Sequence, residues 1–176
     1  IVIDLDPGAA FGTGAHATTA MCLRWLEHVV CPGMRVYDVG CGSGILAIAA
    51  SKLGAGEVIA MDYDPVAVSV AEENIEQNHV TNVVALQSDL LTVCRGMPPA
   101  ELITANIIAD IIIRLFDQVD QHLARGGVLL ASGIIDDRID DVERAAKEHG
   151  FTVLDMTCEK EWAAMIIRRT ADLEEV

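Results

Sequence analysis

The sequence predicts an α/β fold: a doubly wound, mostly parallel seven-stranded sheet with a C-terminal antiparallel hairpin. Three observations predict it. Apolar runs of strand length alternate with segments of helical period from Arg35 to His149. A glycine-rich turn, Gly40-Cys41-Gly42-Ser43-Gly44, joins the first strand of that series to its first helix. The last two strand-like runs are joined only by Cys158-Glu159-Lys160-Glu161, too short a link for a crossover, so they must pair antiparallel.

Taken in order, Arg35–Val39 reads as the first strand and Gly44–Leu53 as the helix after the turn. Glu57–Met61 is the second strand. Pro65 opens the next helix, at a first-turn position where its missing N–H costs nothing. Val66, Ala67, Val70, Ala71 and Ile75 form that helix's apolar stripe. Asn82–Gln87 and Glu101–Ala105 are the third and fourth strands. Ile107, Ile111, Leu115, Val119 and Leu123 recur every four residues and mark one helix face. Gly126-Gly127 is expected to break that helix before the strand Val128–Ser132. Ile139, Val142, Ala146 and His149 mark one more helix, and Phe151–Thr157 and Trp162–Arg169 are the hairpin strands. Right-handed crossovers then place helices on both faces of a parallel sheet.

Before the first strand, Thr19, Cys22, Leu23, Leu26, Val29 and Val30 form the stripe of a further helix. The stretch from Asp6 to Thr19 ahead of it is too glycine-rich for helix or strand and reads as a loop that folds over a ligand. Residues 1–30 are thus expected to be a lid loop and helix, 31–170 the core sheet, and 171–176 a frayed acidic tail, together one domain.

With 176 residues, the chain suits one domain with a sizeable core. No apolar run is long enough to span a bilayer, and no basic-then-apolar leader opens the chain. The five cysteines include no Cys-x-x-Cys pair, so reduced thiols and a cytoplasmic location are expected. The five histidines show no metal-ligand spacing, and no metal is expected. A formal net charge of −15 argues against direct binding to nucleic acid and for a basic protein partner. The chain is expected to be a monomer. It begins at Ile1, already in an apolar run, and reads as a fragment or as a domain whose N-terminal partner lies outside it.

Gly40, Gly42 and Gly44 let the backbone turn sharply and approach a ligand closely. Asp62 stands eighteen residues after Gly44, at the end of the second strand, where an acid accepts from two ribose hydroxyls. A dinucleotide site wants Gly-x-Gly-x-x-Gly, and here the third glycine comes too early; a P-loop wants a Lys that is absent. A nucleoside cofactor without phosphates remains. Asp-x-Gly-x-Gly-x-Gly followed by a ribose acid resembles the first two motifs of class I S-adenosylmethionine-dependent methyltransferases, whose Rossmann-like fold matches the predicted sheet.

The longer pattern is more specific. Asp6-Pro7-Gly8, Ala10-Phe11-Gly12-Thr13-Gly14, His16, Thr18-Thr19, the glycine turn with Ile45-Leu46-Ala47-Ile48-Ala49-Ala50, and Ala105-Asn106-Ile107 resemble the ribosomal protein L-eleven methyltransferase (PrmA) family. The resemblance runs through Glu159-Lys160-Glu161-Trp162 to Arg168-Arg169, with Ala17 where the family usually has proline. It implies that this chain is the catalytic domain, without the family's N-terminal recognition domain. It implies the cofactor S-adenosyl-L-methionine, held by Thr19, Gly40, Asp62 and Asn106, and a basic ribosomal protein substrate methylated on lysine and α-amino groups.

Further site residues follow from position. Gly42 exposes backbone to the methionine moiety, Tyr63 lies against the adenine, and Asp89 accepts from the adenine amino group, the last a habit of the superfamily. Thr18 or Thr19 bonds the carboxylate end, Phe11 covers the transfer site, and His16 packs the loop or gates the substrate. Asn106 is the catalytic candidate, its carbonyl accepting from the acceptor amine. Amide-nitrogen methyltransferases have Asn-Pro-Pro-Tyr where this chain has Asn106-Ile107-Ile108-Ala109, which argues against a glutamine acceptor. Asp110 is the candidate general base, although the family does not typically place an acid there. Asp136, Asp137, Asp140 and Asp141 read as a helix start and a solvated face. The competing functions are a class I methyltransferase with another protein or small-molecule acceptor, a non-catalytic cofactor-binding domain, and, weakest, a dehydrogenase.

Overall fold

The computed structural model describes residues 1–6 and 16–175. Phe11 and the rest of the glycine-rich stretch 7–15 lie outside the described residues. The strands are β1 (Arg35–Val39), β2 (Glu57–Asp62), β3 (Val83–Gln87), β4 (Ala100–Asn106), β5 (Leu123–Ile135), β6 (Phe151–Glu159) and β7 (Trp162–Arg169). The helices are α1 (Ala17–Val29), α2 (Ile45–Lys52), α3 (Pro65–Gln77), α4 (Ala109–His122), α5 (Ile139–Glu148) and the short α6 (Thr170–Leu173). The strands form one seven-stranded sheet in the order β3-β2-β1-β4-β5-β7-β6. Strands β1 to β5 run parallel, and β7 is antiparallel to both of its neighbours.

Successive side chains on a strand face opposite sides of the sheet, and here each side has its own core. Tyr37, Val39, Ile103 and Ala105 pack with Ile112, Leu115, Phe116 and Val142 of α4 and α5. Val36, Val58, Ala60 and Leu102 pack with Cys22, Leu26, Ile48 and Ala71 of α1, α2 and α3. Because both faces are covered, the central strands are apolar almost throughout. Asp38, 1% exposed in the middle of β1, breaks that rule.

The expected strand and helix series is present, with three differences. The helix does not run to Gly126-Gly127. It ends at His122, and Leu123 already pairs with Ala100 of β4. The two glycines sit in a bulge of β5, since the next partners are Leu102 and Val128. Asn106 is the last residue of β4, paired with Ser132, and α4 starts only at Ala109. The tail does not fray from residue 171. Thr170–Leu173 form a helical turn whose Asp172 Oδ2 accepts from the bulge amide of Gly126 at 2.8 Å and from Arg169 at 3.1 Å.

Arg169 explains this order. Its Nη2 donates to the carbonyls of Asp120 and Leu123, both at 3.0 Å, and its Nε to Asp120 Oδ1 at 2.7 Å. The guanidinium thus caps the carbonyl end of α4, where a cation is favoured. Arg169→Ala is expected to lower unfolding free energy by about 1–3 kcal/mol, read by urea denaturation, because it takes a donor from the partly buried Leu123 carbonyl as well as from the exposed Asp120 carbonyl.

Candidate functional site

After β3 the chain returns to lay β4 beside β1, and that reversal of strand order opens a crevice at their carboxyl ends. The glycine turn leaves β1 there and Asn106 ends β4. Gly40, Gly42 and Gly44 have φ of 69°, 52° and 85°, a region L side chains avoid, and Gly44 is the left-handed N-cap of α2.

Sequence reading assigns bare glycine at 40 to ligand approach. The structure supplies an internal reason: a Cβ on Gly40 would overlap the Ile107 Cγ2 methyl. On the other side, a Cβ on Gly133 would overlap the Ile107 carbonyl. The Ile107 amide donates to Ser132 O at 3.0 Å. Residue 107 is therefore wedged between two glycines, and the wedge fixes where Asn106 stands.

Two clefts of about 620 and 390 Å³ meet at Gly40, Gly42 and Asn106. The larger is lined further by Asp62, Tyr63 and Asp89, the smaller by His16, Thr18, Thr19, Asp38 and Trp162. All of Thr19, Gly40, Gly42, Asp62, Tyr63, Asp89 and Asn106 thus face one cleft or both.

Asp62 is held by backbone: its Oδ2 accepts from Gly42 N and its Oδ1 from Asp64 N, both at 3.0 Å. It does not cap α3; Asp64 does, accepting from Val66 N at 2.9 Å. Tyr63 is 74% exposed on the larger cleft. Asp89 is paired with Arg114 at 3.4 Å. Asn106 Nδ2 donates to Thr19 Oγ1 at a long 3.4 Å, and its amide carbonyl has no partner among the described residues. His16 serves as the N-cap of α1: its Nδ1 accepts from Thr18 N at 3.3 Å, and its ring meets Trp162 edge-on at 5.0 Å. Asp110 lines neither cleft and is ion-paired with Arg138 at 2.6 Å. Among the described residues no group of His, Cys, Asp or Glu is arranged to hold a metal ion.

Sequence reasoning counted Asp38 and Trp162 within its motifs without giving either a role in the site, and passed over Gly133. Asp38 Oδ1 accepts from Thr104 Oγ1 at 2.7 Å, while Oδ2 is buried without a partner among the described residues. Burial pushes this carboxyl up to about 7, and the charge of Asp62 adds to the effect; hydrogen bonds from Thr104 and the Ala47 amide oppose it. A lone acid inside an apolar central strand was the legible signal.

A family model described as "Ribosomal protein L11 methyltransferase (PrmA)" matches residues 1–170. A curated protein named ribosomal protein L11 methyltransferase, from Caldanaerobacter subterraneus subsp. tengcongensis, is 56% identical over 169 residues, covering 96% of this chain and 54% of that protein. The chain thus spans about half the length of the curated relatives it matches. The crystal structure of a ribosomal protein L11 methylase from Lactobacillus delbrueckii subsp. bulgaricus superposes with a TM-score of 0.88 at 37% identity, over 95% of this chain and 84% of that one. A methyltransferase from Pyrococcus furiosus, 18% identical, superposes with a TM-score of 0.76 over 96% of this chain and 89% of that one, and so shares the fold. The doubly wound sheet with its reversed hairpin strand is the Rossmann-like methyltransferase fold.

Gly40→Ala is expected to destabilise the fold by more than the ~1–2 kcal/mol of a left-handed L residue, because the new methyl displaces Ile107. Adding Ile107→Ala should recover the steric part and leave the backbone part. Denaturant melts of the two single variants and the double variant give that coupling, and additive losses would contradict the wedge.

Proposed function

Because the chain belongs to the ribosomal protein L11 methyltransferase (PrmA) family, we propose that it binds S-adenosyl-L-methionine across the two clefts and methylates amines of a basic ribosomal protein, L11. In this reading the chain is the catalytic domain, and recognition of the protein substrate rests largely on a domain outside it. It works in the cytoplasm as a monomer, without contacting nucleic acid. Among the described residues no helix is long and apolar enough to cross a membrane.

One observation carries the reading: the unpartnered, buried Oδ2 of Asp38 in the smaller cleft, beside the glycine turn. An orphaned buried carboxylate calls for a cation, and the amino-acid end of this cofactor brings an ammonium. Asp62, at the other side of the turn, keeps free lone pairs for a ribose diol while two amides hold its orientation. Tyr63 offers its ring to the adenine, and Asp89 its carboxylate to the adenine amino group. Thr19 and Gly40 line the methionine end.

When bound, the cofactor supplies a methyl group already activated by its sulfonium. The chain's residues then position. The free carbonyl of Asn106 accepts from the acceptor amine and aims its lone pair, and Thr19 steadies the Asn106 amide. The amine must be neutral; from a lysine pKa of about 10.4 that costs roughly 4–5 kcal/mol near pH 7. With Asp110 bound to Arg138, the proton leaves through water.

Titration calorimetry with S-adenosylmethionine tests the cofactor, and absence of heat rejects the reading. Asp62→Ala should weaken binding by about 1–3 kcal/mol. Asn106→Ala should weaken binding no more than Asp62→Ala does, yet abolish mass gain of L11 incubated with the full-length enzyme. Retained methylation would remove Asn106 from the chemistry.

Asp38 adds a pH signature. Its carboxyl is raised in the fold, so its contribution to stability is fully present below the ordinary carboxylate range and is lost as pH rises through about 7. Asp38→Asn should therefore match the parent near pH 4 and exceed it in melting temperature above pH 7. A bound cation lowers the Asp38 pKa, so cofactor binding near pH 7 should release a proton in the parent and none in the variant. Calorimetry in buffers of different ionisation enthalpy reads that proton.

A further inference from the structure

We propose that Asn74 is a positioning residue that couples the N-terminal segment 4–6 to the glycine turn. The proposal rests on the cofactor reading for its effect on binding, but not for its structural part. Asp4 is held at both ends of its backbone by one side chain: its N–H donates to Asn78 Oδ1 at 2.9 Å, and its carbonyl accepts from Asn78 Nδ2 at 2.7 Å. One helical turn earlier on α3, Asn74 Oδ1 accepts from the Asp6 amide at 3.1 Å, while Asn74 Nδ2 donates to the carbonyl of Ser43 at 2.8 Å. Asn78 Nδ2 also donates to Asn74 O at 2.7 Å, which ties the two amides together.

Filling space does not account for these residues. Ala71 and Ile75 do that on the same helix, whereas asparagine lowers helix propensity and is costly to bury. Asn74 is fully buried and Asn78 nearly so, yet both are satisfied by backbone of other segments. Asn74 is distinctive because its two ends serve different segments: the N-terminal segment on one side and the middle of the glycine turn on the other. One partner is a donor and the other an acceptor, so only one amide orientation satisfies both. The turn is fixed from its other side by Gly42 N on Asp62 Oδ2 and by Gly44 against Ala71. Loosening residues 4–6 therefore removes the donor that holds the Asn74 amide in the orientation its Nδ2 needs to reach the Ser43 carbonyl, and so loosens the turn whose Gly42 amide orients Asp62. Thermodynamic linkage makes the effect reciprocal: cofactor that orders the turn must tighten the segment.

The test uses the whole 176-residue chain. Asp4→Pro removes one N–H from an exposed residue without touching the core. In the ligand-free chain it should speed hydrogen exchange at Gly42 and Gly44 as well as at Asp6. Calorimetry should show S-adenosylhomocysteine binding about three- to ten-fold more weakly to Asp4→Pro and to Asn74→Ala. The double variant should lose little more than Asn74→Ala alone, because the path runs through one amide. Added S-adenosylhomocysteine should slow exchange at Asp4 and Asp6 in the parent. Faster exchange at Asp6 with unchanged exchange at Gly42 and Gly44 overturns the coupling. That comparison needs no ligand and no Asn74 variant, so it stands if Asn74→Ala fails to fold. It also stands if the parent gives no heat with S-adenosylhomocysteine, an outcome that rejects the cofactor reading instead.

Discussion

The insertion of Ile107 between Gly40 and Gly133 is the constraint on which the rest of the crevice depends. In a parallel sheet the carboxyl ends of adjacent strands diverge into loops, and nothing in the ladder fixes how those loops face one another. Here the loop after β4 is pressed against the turn after β1 on one side and against β5 on the other. The Ile107 amide, bonded to Ser132 O, sets the depth of the wedge. Asn106 is then held by the last ladder position before the wedge, and α4 starts two residues after it. The glycines serve the fold first; their openness toward the clefts comes with the same lack of side chains.

A second constraint is electrostatic, and it treats two similar residues differently. Asp62, at the end of β2, and Asp38, within the neighbouring β1, stand on either side of the glycine turn. Asp62 is oriented by two backbone amides and remains partly open. Asp38 has one hydroxyl partner and one orphaned oxygen in a dry environment. The fold thus accepts a penalty at Asp38 that a neutral residue would avoid, and such penalties concentrate where a ligand relieves them. Both buried thiols nearby are pushed toward the protonated form, Cys22 up to about 12 and Cys41 further, chiefly by burial. Neither acts as a nucleophile beside the turn.

Much of this architecture was legible in the chain because it is local. Strand length against helical period located nearly every element, and the short link after Glu159 predicted the hairpin. The glycine spacing and Asp62 located the crevice. What the sequence concealed depends on contacts between distant segments. Gly126-Gly127 looks like a helix break, but Arg169, more than forty residues away, ends the helix earlier by capping the carbonyls of Asp120 and Leu123. The acidic tail looks unstructured until Asp172 is seen accepting from Gly126. Gly133 resembles any strand glycine until Ile107 is placed against it. Asp110 reads as a base until Arg138 occupies it. His16, read from sequence as packing the loop or gating the substrate, is the N-cap of α1, as Asp64 is of α3.

The same geometry explains why this turn does not take the ligands that glycine turns most often take. The N-terminus of α2 points into the crevice with unsatisfied amides, and such a terminus ordinarily attracts phosphate. Here two carboxylates flank it, one at the end of β2 and one within β1. Asp62 already accepts from Gly42, and the Ala47 amide in the first turn of the helix favours the charged form of Asp38. One amide of the turn that would help cradle a pyrophosphate is therefore committed to Asp62, and the charge of the flanking acids would repel the ligand. Two acids beside a helix N-terminus turn an anion site into one suited to a cation and a diol. Because dinucleotide sites share an acid at the end of the second strand, it is the buried Asp38 within β1, together with the glycine spacing, that sets this crevice apart.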